Sequence, residues 1–389
     1  MKKTLALIAA LMVCITMISS ISYAADKVIK FANISALSGP AAAWGVAIAR
    51  ALRMASEEIG TFTVAGQSYK WEIIDYDHKY NPADAVSAVN KAIYSDDVRY
   101  GCIQGSGIHP PILPLLRQNY FLDFGMIAGG KNITNPENPS VFRIMASSDQ
   151  LITTFFDDVY RMYNIKRVAL IVPNDEMGKA DWSLMKKLHE ERKPNVEIVA
   201  EEFFERGLSD FYPALKRMLA KKPDLIFSDA APTGTIALIA KQSRELGFNG
   251  PIYNPTGALE AKSLWEAAGK GSDGVLVPRV WAKAPNKLYA DFERKWEEKF
   301  KEPVLGLAPE VYPLLFWTLD AMKKANSVEN EKVVKALYDT PFKDHPFGPA
   351  SWGGLKTYGI KTQIVYPIPL SELKDGKWTH VMVKEGTLP

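Results

Sequence analysis

Apolar and polar positions along the chain alternate between two periods, one suited to strands and one to helices. Residues 27–34 form an apolar run that reads as a strand. After Ser38-Gly39-Pro40, the apolar positions Ile48, Leu52, Ala55 and Ile59 recur at helical spacing, which predicts a helix over residues 42–58. Residues 71–76 read as the next strand. Asn81-Pro82-Ala83-Asp84 then opens a helix: Asn81 can cap free N–H groups, Pro82 suits the first turn, and Asp84 favours the positive helix end. Residues 98–103 and 122–127 continue the strand series. Strands separated by helices predict a parallel sheet with crossover connections.

The pattern restarts after Phe142-Arg143. Ser147-Ser148-Asp149-Gln150 has the form of a capping box for a helix reaching about Tyr163. Strands over 168–172, 196–204, 224–228 and 251–253 follow, with helices over 179–191, from Ser209-Asp210, over 233–246 and over Ala261–Ala268 between and after them. Residues 274–280 read as a crossing strand. Helices are predicted over 287–301, 309–325 and 329–338, and the tail from Gly348 reads as short strands. The chain therefore holds two successive α/β units of similar length. In such sheets ligands bind outside the carboxyl ends of the strands, so the loops that leave each strand are the ones to inspect.

The N-terminus belongs to neither unit. Lys2 and Lys3 precede an apolar run over residues 5–18, and Ser22-Tyr23-Ala24 places small residues where a signal peptidase reads. This predicts a secretory signal peptide over residues 1–24. A membrane anchor would need about 20 apolar residues and no cleavage site. Cys14 follows Val13 rather than a small residue, unlike a lipoprotein signal, and is expected to leave with the signal. The 389-residue chain is then 365 residues long, which suits two lobes rather than one core. Loss of Lys2 and Lys3 takes the formal charge from +3 to +1, which argues against a nucleic-acid partner. Cys102 remains as the single cysteine and cannot form an internal disulfide. It lies in an apolar run and reads as a buried small hydrophobe.

Signatures of catalysis are missing. Gly105-Ser106-Gly107 follows a strand, but the third glycine of a dinucleotide fingerprint would fall at Pro110. The phosphate-loop motif and the Gly-x-Ser-x-Gly elbow are both absent. The five histidines, His78, His109, His189, His345 and His380, lack metal-ligand spacing. No enzyme activity, cofactor or metal is expected.

Several loop phrases carry a resemblance. They are residues 38–45 (SGPAAAWG), 75–85 (DYDHKYNPADA), 136–143 (PENPSVFR), 174–178 (NDEMG), 241–247 (KQSRELG) and 256–259 (TGAL). By their order and spacing the chain resembles the periplasmic binding proteins of the branched-chain amino acid type, the receptors of ATP-driven importers, over essentially its whole mature length. The resemblance implies a type I periplasmic binding fold, α/β, with two Rossmann-like lobes whose parallel sheets are joined by a three-crossing hinge. The crossings would lie near Phe142-Arg143, 277–282 and 346–351. Lobe 1 would comprise 25–143 plus 281–346, and lobe 2 144–280 plus 347–389. Solute would bind in the cleft between them, an ABC permease in the inner membrane would be the partner, and the receptor would be a periplasmic monomer. A ligand sensor of the same fold, feeding a signalling partner, is the open alternative.

The resemblance also nominates cleft residues. Trp44 stands where the family often has an aromatic lining the cleft; its plainer reading is packing at a helix start. Ser106 and His109 occupy the loop where the family commonly holds the solute's carboxylate, and a loop histidine with no such role is equally open. Gly129, Gly130 and Lys131 replace the family's hydroxyls after the strand over 122–127. There, exposed N–H groups could bind an anion, while a loop lysine is ordinarily just solvated. Met177 replaces a frequent tyrosine, offering either a soft apolar contact or cap packing. Asp229 and Ala230 form one remaining cleft-facing loop, and Thr256 and Gly257 the other. Asp229 could meet a solute ammonium or cap the helix after Pro232. These departures point to an amino acid or a related small carboxylate, with an aromatic carboxylate fitting at least as well as a branched-chain amino acid.

Overall fold

The computed structural model describes residues 26–388, apart from 40, 128–132, 230, 256–258, 260, 305–306 and 341–344. The signal-peptide expectation, with Cys14, therefore lies outside the described residues.

The first unit begins with strand β1 (Lys27–Ser35), which leads into helix α1 (Ala42–Ile59). A hairpin then forms β2 (Thr61–Val64) and β3 (Gln67–Asp77), turning at Ala65-Gly66 with both φ angles positive. Helix α2 (Pro82–Asn90) follows, and Asn81 caps it by accepting from Ala83 N and Asp84 N. Next come β4 (Tyr100–Gln104), α3 (His109–Gln118), β5 (Leu122–Met126) and β6 (Val141–Arg143).

The second unit opens with α4 (Ser148–Met162), where Ser147 Oγ accepts from Gln150 N at 3.2 Å. It continues with β7 (Arg167–Pro173), α5 (Glu176–Arg192), β8 (Glu197–Phe204), α6 (Tyr212–Leu219), β9 (Leu225–Ser228), α7 (Thr233–Glu245), β10 (Ile252–Tyr253), α8 (Ala261–Ala268) and β11 (Val275–Pro278). Helices α9 (Lys287–Phe300), α10 (Ala308–Val311), α11 (Leu314–Ala325) and α12 (Asn330–Leu337) follow. The stretch expected as one helix over 309–325 divides at Tyr312-Pro313, where proline lacks the N–H a continuing helix needs. The tail forms β12 (Ser351–Gly353), α13 (Leu355–Tyr358), β13 (Gln363–Val365), β14 (Pro367–Lys374) and β15 (Lys377–Glu385).

Among the described residues the strands make two sheets, in the orders β12-β13-β6-β5-β4-β1-β3-β2 and β15-β14-β11-β10-β9-β7-β8. The inner strands pair in parallel, as the alternation of strand and helix requires. The edges are antiparallel: β2 on β3 and β12 on β13 in one sheet, β14 on β11 and β15 on β14 in the other. Burial on both faces, at every position, explains the mostly apolar character of β4, β5, β9 and β11. Cys102 is one of these residues, fully buried and free, and burial pushes its thiol pKa well up. Its reading as a packed hydrophobe holds.

The chain changes sheets after β6, after β11 and between β13 and β14. The third passage corrects the sequence expectation of 346–351. Strand β13 pairs in parallel with β6, with Gln363 opposite Arg143, and β12 pairs with β13. Residues 351–365 thus belong to the first sheet, and the change falls at Tyr366. The glycines and prolines after Asp344 mark the end of the helices rather than a change of sheet.

Candidate functional site: a cleft between the two sheets

In each sheet the strand order reverses beside the unit's first strand. Strand β1 lies between β3 and β4, and β7 lies between β8 and β9. Loops leaving the carboxyl ends at such points diverge and leave a crevice. Ser106 follows β4, Ile127 follows β5 and Met177 follows β7, and the structure brings all three to one cavity of about 60 Å³. Its remaining wall comes from the first passage (Arg143 to Ser148), from Leu151 on α4, and from Arg279 on the second passage. A larger hollow of about 530 Å³, lined by Lys222, Pro223, Asp224 and the 246–251 loop, lies at the amino ends of β9 and β10. Of the two, only the smaller cavity lies at the carboxyl ends of the strands, where such folds bind ligands.

The loops after β1 and β7 are built alike. A Cβ on Gly45 would lie 2.0 Å from Ala36 O, and one on Gly178 would lie 2.1 Å from Pro173 O. Only glycine lets either helix start press this closely on the loop before it. The preceding residues, Trp44 at 42% and Met177 at 39% relative exposure, are among the few large apolar side chains left open to solvent. Met177 lines the cavity; Trp44 lies outside it and meets Tyr80 edge-on at 6.5 Å.

Ser106 lines the cavity and donates from Oγ to Ile127 O at 2.8 Å. His109 does not reach it, a correction to the expected anion contact. The ring is fully buried, with Nδ1 2.7 Å from Gly105 O, to which it must donate because a carbonyl only accepts. Nε2 lies 3.0 Å from Asp123 Oδ2. Burial raises the pKa of Asp123, while His109 and Ile103 N offset part of that cost. His109 therefore ties α3 to β5.

Asp229 is also enclosed rather than open to the cleft. It is fully buried against Asp181, whose pKa is raised well above the usual range by burial and then by the charge of Asp229. The alternative cap role falls away as well, because α7 begins after Pro232 with no side-chain cap. The expected contacts Gly129, Gly130, Lys131, Ala230, Thr256 and Gly257 lie outside the described residues.

Two arginines absent from the sequence-based candidates reach the cavity. Arg143 is buried, with Nε donating to Gln363 Oε1 and its guanidinium 4.9 Å from the Tyr358 ring centre. Arg279 has an 11% exposed side chain and meets Glu310 with Nη2 at 3.2 and 3.0 Å from the two carboxylate oxygens. Tyr366 OH donates to the same carboxylate at 2.6 Å and accepts from Ala146 N at 3.2 Å. One buried network thus fastens all three passages between the sheets. Removing one member of such a pair leaves a buried charge uncompensated, at a cost of about 3–5 kcal/mol. The signal that marked these positions was their place in the passages themselves.

Among the described residues, no group of three or more His, Cys, Asp or Glu side chains could hold a metal ion. None of the described helices is long and apolar enough to cross a membrane. Two mostly parallel sheets, with a cavity between their carboxyl ends and three passages beside it, define a type I binding fold. The family model described as "Periplasmic binding protein" matches residues 28–376, and the chain belongs to that family, whose members are solute receptors rather than enzymes. It is 24% identical over 292 residues to a Leu/Ile/Val-binding protein of Citrobacter freundii, covering 72% of this chain and 75% of the relative. The structure superposes on a leucine-binding protein of Thermotoga maritima with a TM-score of 0.76 at 22% identity, over 91% of this chain and 98% of the other. It superposes equally, TM-score 0.76 at 22% identity, on an ABC-transporter solute-binding protein of Rhodopseudomonas palustris in complex with 3,4-dihydroxybenzoic acid, over 93% and 99% of the two chains.

Proposed function

We propose that the protein is the exported, periplasmic solute receptor of an ABC importer, and that it closes two lobes around an amino acid or a related small carboxylate, aromatic carboxylates included. The observation that carries this reading is the cavity itself. It lies where the loops of the two sheets converge and draws Ser106 and Ile127 from one sheet, Met177 and Leu151 from the other. The lobes in this reading are 26–143 with 281–365, and 144–280 with 366–388. Residues 1–24 serve as the signal. The three passages act as the hinge, and closure buries the solute. The closed form, a monomer with both lobe surfaces free, docks on its permease.

Two features support a carboxylate as solute. Arg143 and Arg279 both line the cavity, and guanidinium is the side chain best shaped to pair with carboxylate. The relatives named above include one that binds leucine and one that holds a hydroxylated benzoate, and both solutes carry a carboxylate. The exposed Trp44 ring supplies a flat apolar surface for an aliphatic or aromatic body.

A thermal-shift screen of residues 25–389 tests the reading, with amino acids, aliphatic and aromatic carboxylates, amides and polyols. A true solute at a hundredfold excess over its Kd stabilises the folded state by about 2.7 kcal/mol. Stabilisation by amino acids or carboxylates, with unchanged solute recovered, is the expected result. Stabilisation confined to polyols or amides would overturn the solute class, and turnover of the solute would overturn the receptor.

A further inference from the structure

We infer that Arg279 is the residue that receives the solute's carboxylate, the task that sequence resemblance gives to the loop after β4. The inference rests on the cleft reading above and names the anchor within it.

Four observations converge on Arg279. The first is position: it lines the cavity together with Ser106, Ile127, Ser147 and Met177, so it faces residues of both sheets. The second is an unused donor. Nη2 is committed to Glu310, but Nε is buried with no hydrogen-bond partner among the described residues. A buried N–H without an acceptor is costly, and a guest carboxylate would supply one.

The third observation is the backbone. Arg279 adopts φ +68° and Ile127, which lines the same cavity, φ +51°. Non-glycine residues seldom occupy this region, a β-branched one least of all. Strain of this kind persists where the surrounding structure over-determines it and tends to cluster at functional sites. Here the hydrogen bond from Arg279 N to Pro369 O, 2.9 Å, fixes the backbone beside β14.

The fourth observation is elimination within the site. His109 is turned inward onto Gly105 O and Asp123, so it offers no charge to the cleft. Arg143 lines the cavity too, but its guanidinium is stacked on Tyr358 and bonded to Gln363, which makes it a brace between β6 and β13. Arg279 is also bonded through Glu310 to Tyr366, and Tyr366 to Ala146 N, so the group that holds the anion is tied to the other two passages. Anchoring and hinge position are thereby joined in one side chain.

The test compares carboxylates with their neutral amides, because that ratio responds to the anchor's charge and not to general damage. Calorimetric titration would use benzoate with benzamide, 3,4-dihydroxybenzoate with its amide, and L-leucine with L-leucinamide, against wild type, Arg279→Lys and Arg279→Gln. In wild type, the carboxylate of at least one pair should bind about 10- to 100-fold more tightly than its amide, the range of a charge-assisted hydrogen bond. In Arg279→Gln that ratio should fall to within about threefold of unity, with amide affinity little changed, and Arg279→Lys should lie between. A ratio kept in both variants, or carboxylate and amide weakened alike, would overturn the assignment while leaving the solute class standing. If wild type binds no member of any pair, the solute class fails and Arg279 loses its role with it. Should Arg279→Gln not fold, the Lys variant alone decides, since a preserved ratio there contradicts an anchor that depends on the guanidinium Nε.

Discussion

Two regions of the molecule, the loop-to-helix turns after β1 and after β7, perform the same task with different residues. Each presses a glycine against the loop before it, Gly45 on Ala36 O and Gly178 on Pro173 O, and each leaves a large apolar side chain exposed beside that glycine. They differ in how the turn is held. After β7 the loop supplies its own cap: Asp175 Oδ1 accepts from Gly178 N at 3.0 Å, and Oδ2 pairs with Arg206. After β1, helix α1 has no side-chain cap, and the loop is held from the neighbouring strand, where Asp77 accepts from Leu37 N at 2.9 Å and Ser38 Oγ at 2.6 Å. Burial disfavours ionisation of both carboxyls, yet these hydrogen bonds hold each below the usual carboxylate range. The glycine fixes the helix approach in both halves, while the loop's polar anchor is free to vary. The residue before the glycine differs as well: Met177 lines the cavity, while Trp44 lies outside it, exposed beside Tyr80.

The largest effect expected from breaking this comparison comes from the glycines. Gly45→Ala and Gly178→Ala each place a methyl within 2.0 and 2.1 Å of a backbone oxygen, which cannot move without its strand. Each should destabilise the protein by roughly 3 kcal/mol or more, read by denaturant unfolding. A loss below about 1 kcal/mol in one half would show that the close approach is not shared.

Acid should weaken the surroundings of the third passage at higher pH than it weakens either turn, whose depressed carboxyls lose their contribution only below the ordinary carboxylate value. His345 is buried, stacked 4.9 Å from Tyr366 and 5.6 Å from Trp317, and burial lowers its pKa to about 3. Below the ordinary value of about 6.5 the unfolded chain binds a proton that the folded chain refuses, so stability falls as pH drops from 6.5 toward 3. The contribution should reach on the order of 2–3 kcal/mol near pH 4.5, at about 1.4 kcal/mol per pH unit. Unfolding of His345→Gln across that window should show a flatter dependence on pH; an unchanged slope would remove His345 as its source.

Smaller effects distinguish the two exposed side chains beside the glycines. Trp44→Ala should weaken solute binding about tenfold and Met177→Ala about threefold, the ring losing more contact area than the thioether. Equal losses, or none at Trp44, would remove the Trp44 ring as a surface for the solute. Of similar size is the effect of Asp181→Asn on α5, which bears on stability rather than on binding. A raised folded pKa means stability that is complete below about pH 4 and is lost as pH rises through the folded value. The amide should therefore stabilise the protein by about 1 kcal/mol at pH 8 and not at pH 4, seen as a shift in Tm.

Much of the fold was legible because its determinants are local. Asn81 and Ser147 cap the helices that their spacing predicts, and the apolar runs become the inner parallel strands. What was not legible depends on distant partners. A histidine after a strand reads the same whether it points outward or inward, and only Asp123 on the next strand turns His109 inward. The third passage was misplaced because β13 is held by a pairing between Gln363 and Arg143, far apart in sequence. Arg279 was visible as part of a passage, but its left-handed backbone is not written in its residue type. The loops resembling a known family marked Ser106 and Met177 as cleft residues, and the cavity joins those two; it could not foresee that the passages themselves would supply the arginines.

Small-angle scattering of residues 25–389, with and without a saturating solute found by thermal shift, tests the central claim most directly. Closure of two lobes around a solute predicts a smaller radius of gyration in the bound state, and the contraction should disappear in any variant that abolishes binding. An identical scattering profile at proven saturation would contradict it, leaving a rigid binding protein with no closing hinge.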